Sequence, residues 1–417
     1  DKGLNLDSFA AFIGIDWADQ KHDYCLMDNQ TKATEYSKFL HQPAAIEAWA
    51  STLRKRFNGQ KIAIALELKT GPLVHALLRY DFIVIVPISP QSLARYRDVF
   101  TQSGAKDDPS DAYLALDFLL RHTDKLTPID PDTPETRILQ KLVEHRRLMV
   151  EERVRVTNRI TASLKEYYPQ ILEWFDEIDT LMLCDFLERW PNLKKAKKSH
   201  ERTYEKFFHA HNSRSRALLE KRINAISNSS SLTNDEGVIT PHQKFVLFQV
   251  KLLRELIDGI KMYDKDIGVR FKSHEDFEIF DSLPGAGKVY APRLLAALGS
   301  NRNRFRSSDE LVRQIGVAPV VERSGKKTWI HWRYSCPTFV RQTFVEWSNH
   351  SIKYSFWAKI YYDQQKSRGK GHQTVLRSLA FKWARILYRC WKNKERYDEA
   401  KYLLSLRKKN SPLLGST

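Results

Sequence analysis

An α/β plus all-α architecture is what this 417-residue sequence predicts: a mixed-sheet domain, long helical arms, and a mainly helical C-terminal domain. Three observations carry it. Short apolar runs alternate with helical patterns through residues 10–125, as in a sheet flanked by helices. Two helical periodicities, over 133–168 and 241–271, are too long to fold back on a small core. Beyond them, amphipathic segments recur around a Pro-Gly-x-Gly turn and basic faces. The expected boundaries are 1–128, 129–275 with a helical insertion at about 170–240, 276–410, and a disordered tail over 411–417.

Taken in order, residues 12–16 and 23–28 read as a strand pair. Residues 43–57 read as a helix with Ile46, Trp49 and Leu53 on one face. The run Lys61-Ile62-Ala63-Ile64-Ala65-Leu66-Glu67 is a buried strand. A helix over 72–79, a strand over 82–86 and helices over 89–99 and 108–121 follow. Strand pair, βαβ and then helices is the order of a ribonuclease H-type mixed sheet, though doubly wound sheets share much of it. The first long helix ends at Pro169. Residues 172–190 and 214–231 read as insertion helices around the basic run 194–198, and 227–237 as a polar loop. The second long helix is the natural partner of the first, within one chain or as a coiled coil between chains.

The formal charge of +18 points to a polyanionic partner, and its distribution says more than its total. Residues 1–125 hold 15 Lys+Arg against 16 Asp+Glu; the remainder holds 53 against 34. A near-neutral acidic domain followed by a basic remainder suits an enzyme whose other parts hold nucleic acid. Cys25, Cys184, Cys336 and Cys390 are isolated, without ligand spacing, so a reduced cytoplasmic protein without structural zinc is expected. No apolar run reaches membrane-spanning length and no charged-then-apolar leader opens the sequence, which predicts no membrane partner. Opening on Asp1 rather than Met, the numbering is expected to start inside a longer chain or after a removed tag.

Four carboxylates stand where chemistry would need them. Asp16 and Glu67 close the first two buried strands, and Asp108 and Asp111 open a helix on a shared face. Singly they have plain explanations: Asp108 before Pro109 is a good N-cap, and Asp111 suits the helix dipole. As a set they would hold Mg2+ or Mn2+ for work on nucleic-acid phosphates. Leu283-Pro284-Gly285-Ala286-Gly287 between helical runs has the pattern of a helix-hairpin-helix. Gly285 and Gly287 would let backbone N–H groups approach a phosphate, with Lys288, Arg293 and Arg304 close behind. Residues 320–332 read as a hairpin turning at Ser324-Gly325, flanked by Arg323, Lys326 and Lys327. His331 is near Ser324 in sequence.

These motifs resemble those of the DEDD insertion-sequence transposases, the group that includes Piv-type DNA invertases and bridge-RNA-guided recombinases. The resemblance runs through Gly14-Ile15-Asp16, Ala65-Leu66-Glu67 and Lys106-Asp107-Asp108-Pro109-Ser110-Asp111, then Leu283 to Gly287, Gly316-Val317-Ala318-Pro319 and Arg323-Ser324-Gly325-Lys326. It covers roughly residues 10–125 and 241–390. It implies a RuvC-like catalytic domain, a coiled-coil linker and a C-terminal transposase domain. It further implies that Asp16, Glu67, Asp108 and Asp111 bind metal and that Ser324 joins covalently to the cut strand. A non-coding bridge RNA, donor and target DNA, and assembly from dimer to tetramer are the partners it implies, in a prokaryotic cytoplasm at the nucleoid. The family's third motif commonly reads Lys-Thr-Asp; here Asp107 replaces Thr, so whether Asp107 or Asp108 faces the metal stays open. The alternatives are a RuvC-like junction nuclease without a covalent intermediate and a non-catalytic architectural nucleic-acid binder.

Overall fold

The computed structural model describes residues 4–100, 108–325, 327–411 and 413, with the backbone alone at Phe100 and at Asp108 to Ser110. The chain divides into two compact units, Asp1–Pro131 and Asp132–Thr417.

The first unit is built on β1 (Ala11–Trp17), β2 (Lys21–Asp28), β3 (Thr34–Leu40), β4 (Ile62–Leu66) and β5 (Ile83–Pro87). Their order is β3-β2-β1-β4-β5, antiparallel from β3 to β1 and parallel from β1 to β5. Every residue of β4 is buried, as a central strand covered on both faces requires. Alternation sorts its side chains. Ile62, Ile64 and Leu66 pack with α1 (Pro43–Arg56) and α2 (Pro72–Leu77), whereas Ala63 and Ala65 face the layer formed with α3 (Pro90–Phe100) and α4 (Asp108–Arg121). The small residues admit α4 close to the sheet. At Gly14 a Cβ would stand 2.1 Å from the Ala112 carbonyl oxygen and 2.4 Å from the Leu116 nitrogen.

β3 is not among the strands that the sequence pattern predicts. It is an edge strand with Phe39 as its one buried side chain, so it lacks the apolar alternation that marks a strand.

In the second unit, α5 (Pro134–Tyr167) starts at the N-cap Thr133 with Pro134 at N1. Five short helices follow: α6 (Ile171–Trp174), α7 (Leu181–Arg189), α8 (Leu193–Lys197), α9 (Glu201–Ala210) and α10 (Arg216–Asn228). The sequence pattern does not predict α9, and the segment 172–190 is two helices rather than one. The return helix α11 (Glu236–Lys272) starts before the expected residue 241, because Asp235 caps it by accepting from the Gly237 N–H at 2.8 Å. Pro241 therefore lies inside the helix.

α5 and α11 run antiparallel: Arg146 meets Asp264 (3.1 Å) and His145 meets Tyr263, while Thr136 meets His274 (2.8 Å). Each is roughly 50 Å long at 1.5 Å per residue, and the pair bridges two cores. At one end Val156, Ile160 and Leu164 join Val250 and Leu253 with the aromatic insertion. At the other, Leu139 and Val143 join Ile267 and Phe271 with the C-terminal helices.

Those helices are α12 (Phe277–Asp281), α13 (Gly287–Leu298), α14 (Ser308–Gln314), α15 (Thr338–Ser351), α16 (Phe356–Ser367), α17 (His372–Asn393) and α18 (Glu399–Lys408). Between α14 and α15 stands an antiparallel ribbon, β6 (Val320–Ser324) with β7 (Lys327–His331). Trp347, Trp357, Trp383 and Trp391 are fully buried and hold this domain together; of the C-terminal tryptophans, Trp329 is the exposed one. No disulfide links Cys25, Cys184, Cys336 and Cys390, and burial pushes the Cys184 and Cys390 thiols up to about 11. Among the described residues no helix is long and apolar enough to cross a membrane.

Candidate active site: a carboxylate edge and a basic hairpin

The first group of site residues lies at the C-terminal edge of the parallel strands. Gly14 of β1 pairs with Ala65 of β4, so Asp16 and Glu67 each stand two residues past that rung on neighbouring stretches of the same chain. Strand alternation puts Asp16 on the face of Phe12 and Gly14, the face that α4 covers; Glu67 continues the alternation of Ala63 and Ala65 toward that same face. The direction of α4 follows from a contact at its far end. The Leu4 N–H donates to the Thr123 carbonyl at 3.3 Å, so the end of α4 lies beside the chain entering β1. The start of α4, with Asp111, therefore arrives where β1 and β4 finish.

Asp111 is buried, 4% exposed, and accepts from Arg97 Nε on α3 at 2.8 Å. A buried carboxylate needs such a partner or a metal ion. Among the described residues no three His, Cys, Asp or Glu side chains approach closely enough to hold a metal. The carboxylate of Asp108 falls outside the described residues, as does Asp107. The donor chemistry of Asp16, Glu67 and Asp111, hard oxygens on adjacent elements with one buried, fits magnesium or manganese.

Sequence reasoning missed two residues here. Arg97 gave no signal, being one cation on an amphipathic helix. His22, opposite Trp17 on β2, is fully buried. Its Nδ1 accepts from the Ala18 N–H (3.3 Å), so its Nε2 carries the proton and donates to His41 Nδ1 (2.8 Å). This bond braces the turn that follows Asp16. Burial, then His41, lowers the His22 pKa from 6.5 to about 4, with Asp23 opposing. An unfolded chain takes up this proton below 6.5 and the folded one only below 4. The stabilisation is therefore complete above pH 6.5 and lost as pH falls to 4, amounting to about 3 kcal/mol. Urea midpoints measured across that window are expected to fall for the wild type and to stay flatter for His22→Gln.

The second group lies in the second unit. Ser324 pairs with Lys327 at the tip of the ribbon, across Gly325 at φ +56°, and both strands are exposed except at Val320. Arg323 and Lys327 flank it; Lys326 lies outside the described residues. His331 is paired with Val320 at the ribbon's foot and bonds Glu322 (3.1 Å), roughly 13 Å along the strand from Lys327. Proximity in sequence thus does not make His331 a base for Ser324 of its own chain.

The turn at Gly285 is an internal packing feature. Trp347 Nε1 donates to the Pro284 carbonyl (3.1 Å) and His350 Nδ1 to that of Gly285 (2.8 Å), and a Cβ on Gly285 would meet Tyr354 at 2.9 Å. Gly287 and Lys288 are exposed. Two of the arginines expected at phosphates have carboxylate partners within the fold. Arg293 lies between Tyr290 and Phe339 and bonds Glu346 (3.0 Å) and Thr343, and burial lowers its pKa. Arg304 bonds Asp132 (3.3 Å), the residue that also receives the Ser300 and Asn301 N–H groups. Arg293 is largely enclosed, whereas Arg304 keeps an exposed side chain.

Comparison with known proteins adds the following. Residues 13–169 match the family model of IS110-type DEDD transposases, and residues 277–363 that of the transposase IS116/IS110/IS902 family; together they span more than half the chain. A "Mini-circle putative transposase for IS117" of Streptomyces coelicolor is 27% identical over 94% of this chain and 96% of its own length. A "Putative transposase y4uE" of Sinorhizobium fredii is 31% identical over 49% of this chain and 58% of its own. An uncharacterized protein of insertion element IS116 from Streptomyces clavuligerus is 22% identical over 93% and 96%.

Proposed function

Because this chain belongs to the transposase family of insertion sequences IS116, IS110 and IS902, an enzyme family that cleaves and rejoins DNA, we propose how its own residues do so. Ser324 Oγ attacks a backbone phosphorus. A bond from phosphorus to a deoxyribose oxygen breaks as the bond to Ser324 forms. The hydroxyl proton passes to water, and the departing oxygen takes one up. Bond types balance across the step, so the reverse attack rejoins strands without an energy donor. Arg323, Lys326 and Lys327 offset phosphate charge at the ribbon tip. Asp16, Glu67, Asp111 and Asp108 would hold magnesium or manganese, which supplies Lewis-acid stabilisation of charge at the phosphate.

The single observation supporting this reading is the close approach of α4, one residue after Asp111, to Gly14 on β1, two residues before Asp16. The basic remainder of the chain would hold DNA and a guide RNA, and the RuvC-like sheet, coiled-coil arms and helix-hairpin-helix belong to the same reading. In the same reading, dimers assembling to tetramers would bring Ser324 of one protomer to the carboxylates of another.

The test is a denaturing gel of labelled donor DNA incubated with protein and magnesium. A slow-migrating protein-linked strand, lost in Ser324→Ala and without metal, is the expected result. Cleavage that persists in Ser324→Ala, with no linked strand, would replace this reading with that of a junction nuclease. Guide RNA is checked on purified protein, as nuclease-sensitive absorbance at 260 nm yielding one discrete sequence.

A further inference from the structure

α17 has two faces. Val375, Leu379, Trp383, Leu387 and Trp391 are buried in the core. On the other side Arg377, Phe381, Lys382, Arg385, Tyr388 and Arg389 recur at three- and four-residue spacing and line a groove of roughly 1630 Å3. The facing wall is α18, which buries no side chain and turns Leu404 and Lys408 to the same space, as does Lys409 just past its end. Ile330, His331 and Trp332 also line the groove, and they form the foot of the ribbon whose tip carries Ser324.

The groove's chemistry is cations laid on rings. Trp332 is held between the guanidinium groups of Arg341 (4.5 Å) and Arg377 (4.2 Å), and Lys382 Nζ sits 4.9 Å over Tyr361. Arg385 and Lys401 have carboxylate partners, Asp309 and Glu395. Among the described residues no carboxylate lies within ion-pair distance of Arg377, Lys382, Arg389, Lys408 or Lys409. Burial, then Arg385, lowers the Lys382 pKa, as expected of an ammonium short of counter-charge. A paired duplex offers its phosphates but keeps its base faces stacked. Rings interleaved with unpaired cations fit a strand whose bases are free.

We infer that this groove holds the unpaired DNA strand next to the break made at the ribbon tip; the inference rests on the assignment of Ser324. The strand's phosphates meet Arg377, Arg389, Lys408 and Lys409, and its bases lie against Phe381 and Tyr388.

Anisotropy of a fluorescein-labelled 12-nucleotide deoxyoligonucleotide on the full chain tests it, with a blunt duplex and an oligoribonucleotide of matching sequence as competitors. Lys408→Glu with Lys409→Glu, both exposed at the end of α18 and without risk to the core, is expected to weaken binding about tenfold. It should also cut the slope of log K against log salt by about 1.4, the change expected when two phosphates of a single strand are no longer neutralised. Phe381→Ala is expected to weaken binding with the slope unchanged. Competition by the duplex equal to that of the single strand, or wild-type binding by the double variant, would overturn the inference. An oligoribonucleotide bound more than tenfold tighter would overturn it in favour of RNA. Ser324→Ala separates the two proposals: retained strand binding without a linked product supports both, whereas a linked product in Ser324→Ala with groove variants still defective removes the nucleophile, and with it the break at the ribbon tip, while leaving the groove as a single-strand site.

Discussion

Asp16→Asn is expected to lower strand cleavage by about 10^3-fold or more, the scale on which metal-borne charge stabilisation acts, while leaving the fold nearly untouched. The reason is positional. Asp16 faces Asp23 across the β1–β2 pair, two acids on neighbouring strands, with Asp23 already engaged by Lys21 at 3.0 Å. Asparagine keeps the size of Asp16 and one acceptor oxygen, so thermal unfolding should shift by less than about 3 °C. Loss of cleavage at constant stability distinguishes a working carboxylate from a structural one. Mixing this variant with Ser324→Ala carries the idea further. If protomers share sites, the mixture regains a fraction of wild-type cleavage that peaks near equal ratio, measured by the linked-strand assay. Inactivity at every ratio would confine each site to one chain.

How much of the fold and the site is legible in the sequence depends on what each residue's environment writes into it. β4 is legible because a strand buried on both faces must be apolar throughout, and Glu67, ending that run, is conspicuous for the same reason. β3 is hidden: an exposed edge strand with Phe39 alone inside has a loop's composition. The insertion helices are blurred because their aromatic residues, Trp174, Phe175, Phe186, Trp190, Tyr204 and Phe208, converge from several short elements rather than along one stripe. The pairing of Arg293 with Glu346 is not legible, because a cation beside a glycine turn looks alike whether its counter-charge is a phosphate or a carboxylate from a distant helix. The carboxylates' residue types are evident, but their common edge becomes visible only through the contact at Gly14. Ser324 has no signal beyond family resemblance, since an exposed serine before a turn glycine is ordinary turn chemistry.

That contact at Gly14 makes a second strong prediction. An alanine there would thrust its methyl group 2.1 Å from the Ala112 carbonyl oxygen and 2.4 Å from the Leu116 nitrogen. Both are backbone atoms, so no rotamer relieves the clash and α4 itself must slide outward. Forced repacking of this kind costs about 3 kcal/mol, visible as a lower urea midpoint. The displacement also carries Asp111 away from the strand edge. If Asp111 acts as proposed, ångström-scale misplacement costs about 10^2-fold in rate, so Gly14→Ala should lose cleavage even at temperatures where it stays folded. Gly268→Ala on α11 is the matched control: nothing lies within 4 Å of its added methyl, and alanine favours a helix interior by up to about 1 kcal/mol. A Gly14→Ala protein as stable and as active as Gly268→Ala would mean that α4 is not held against β1 in solution. Asp111 would then have no fixed place beside Asp16 and Glu67, and the carboxylate edge could not hold a metal ion in register with a scissile phosphate.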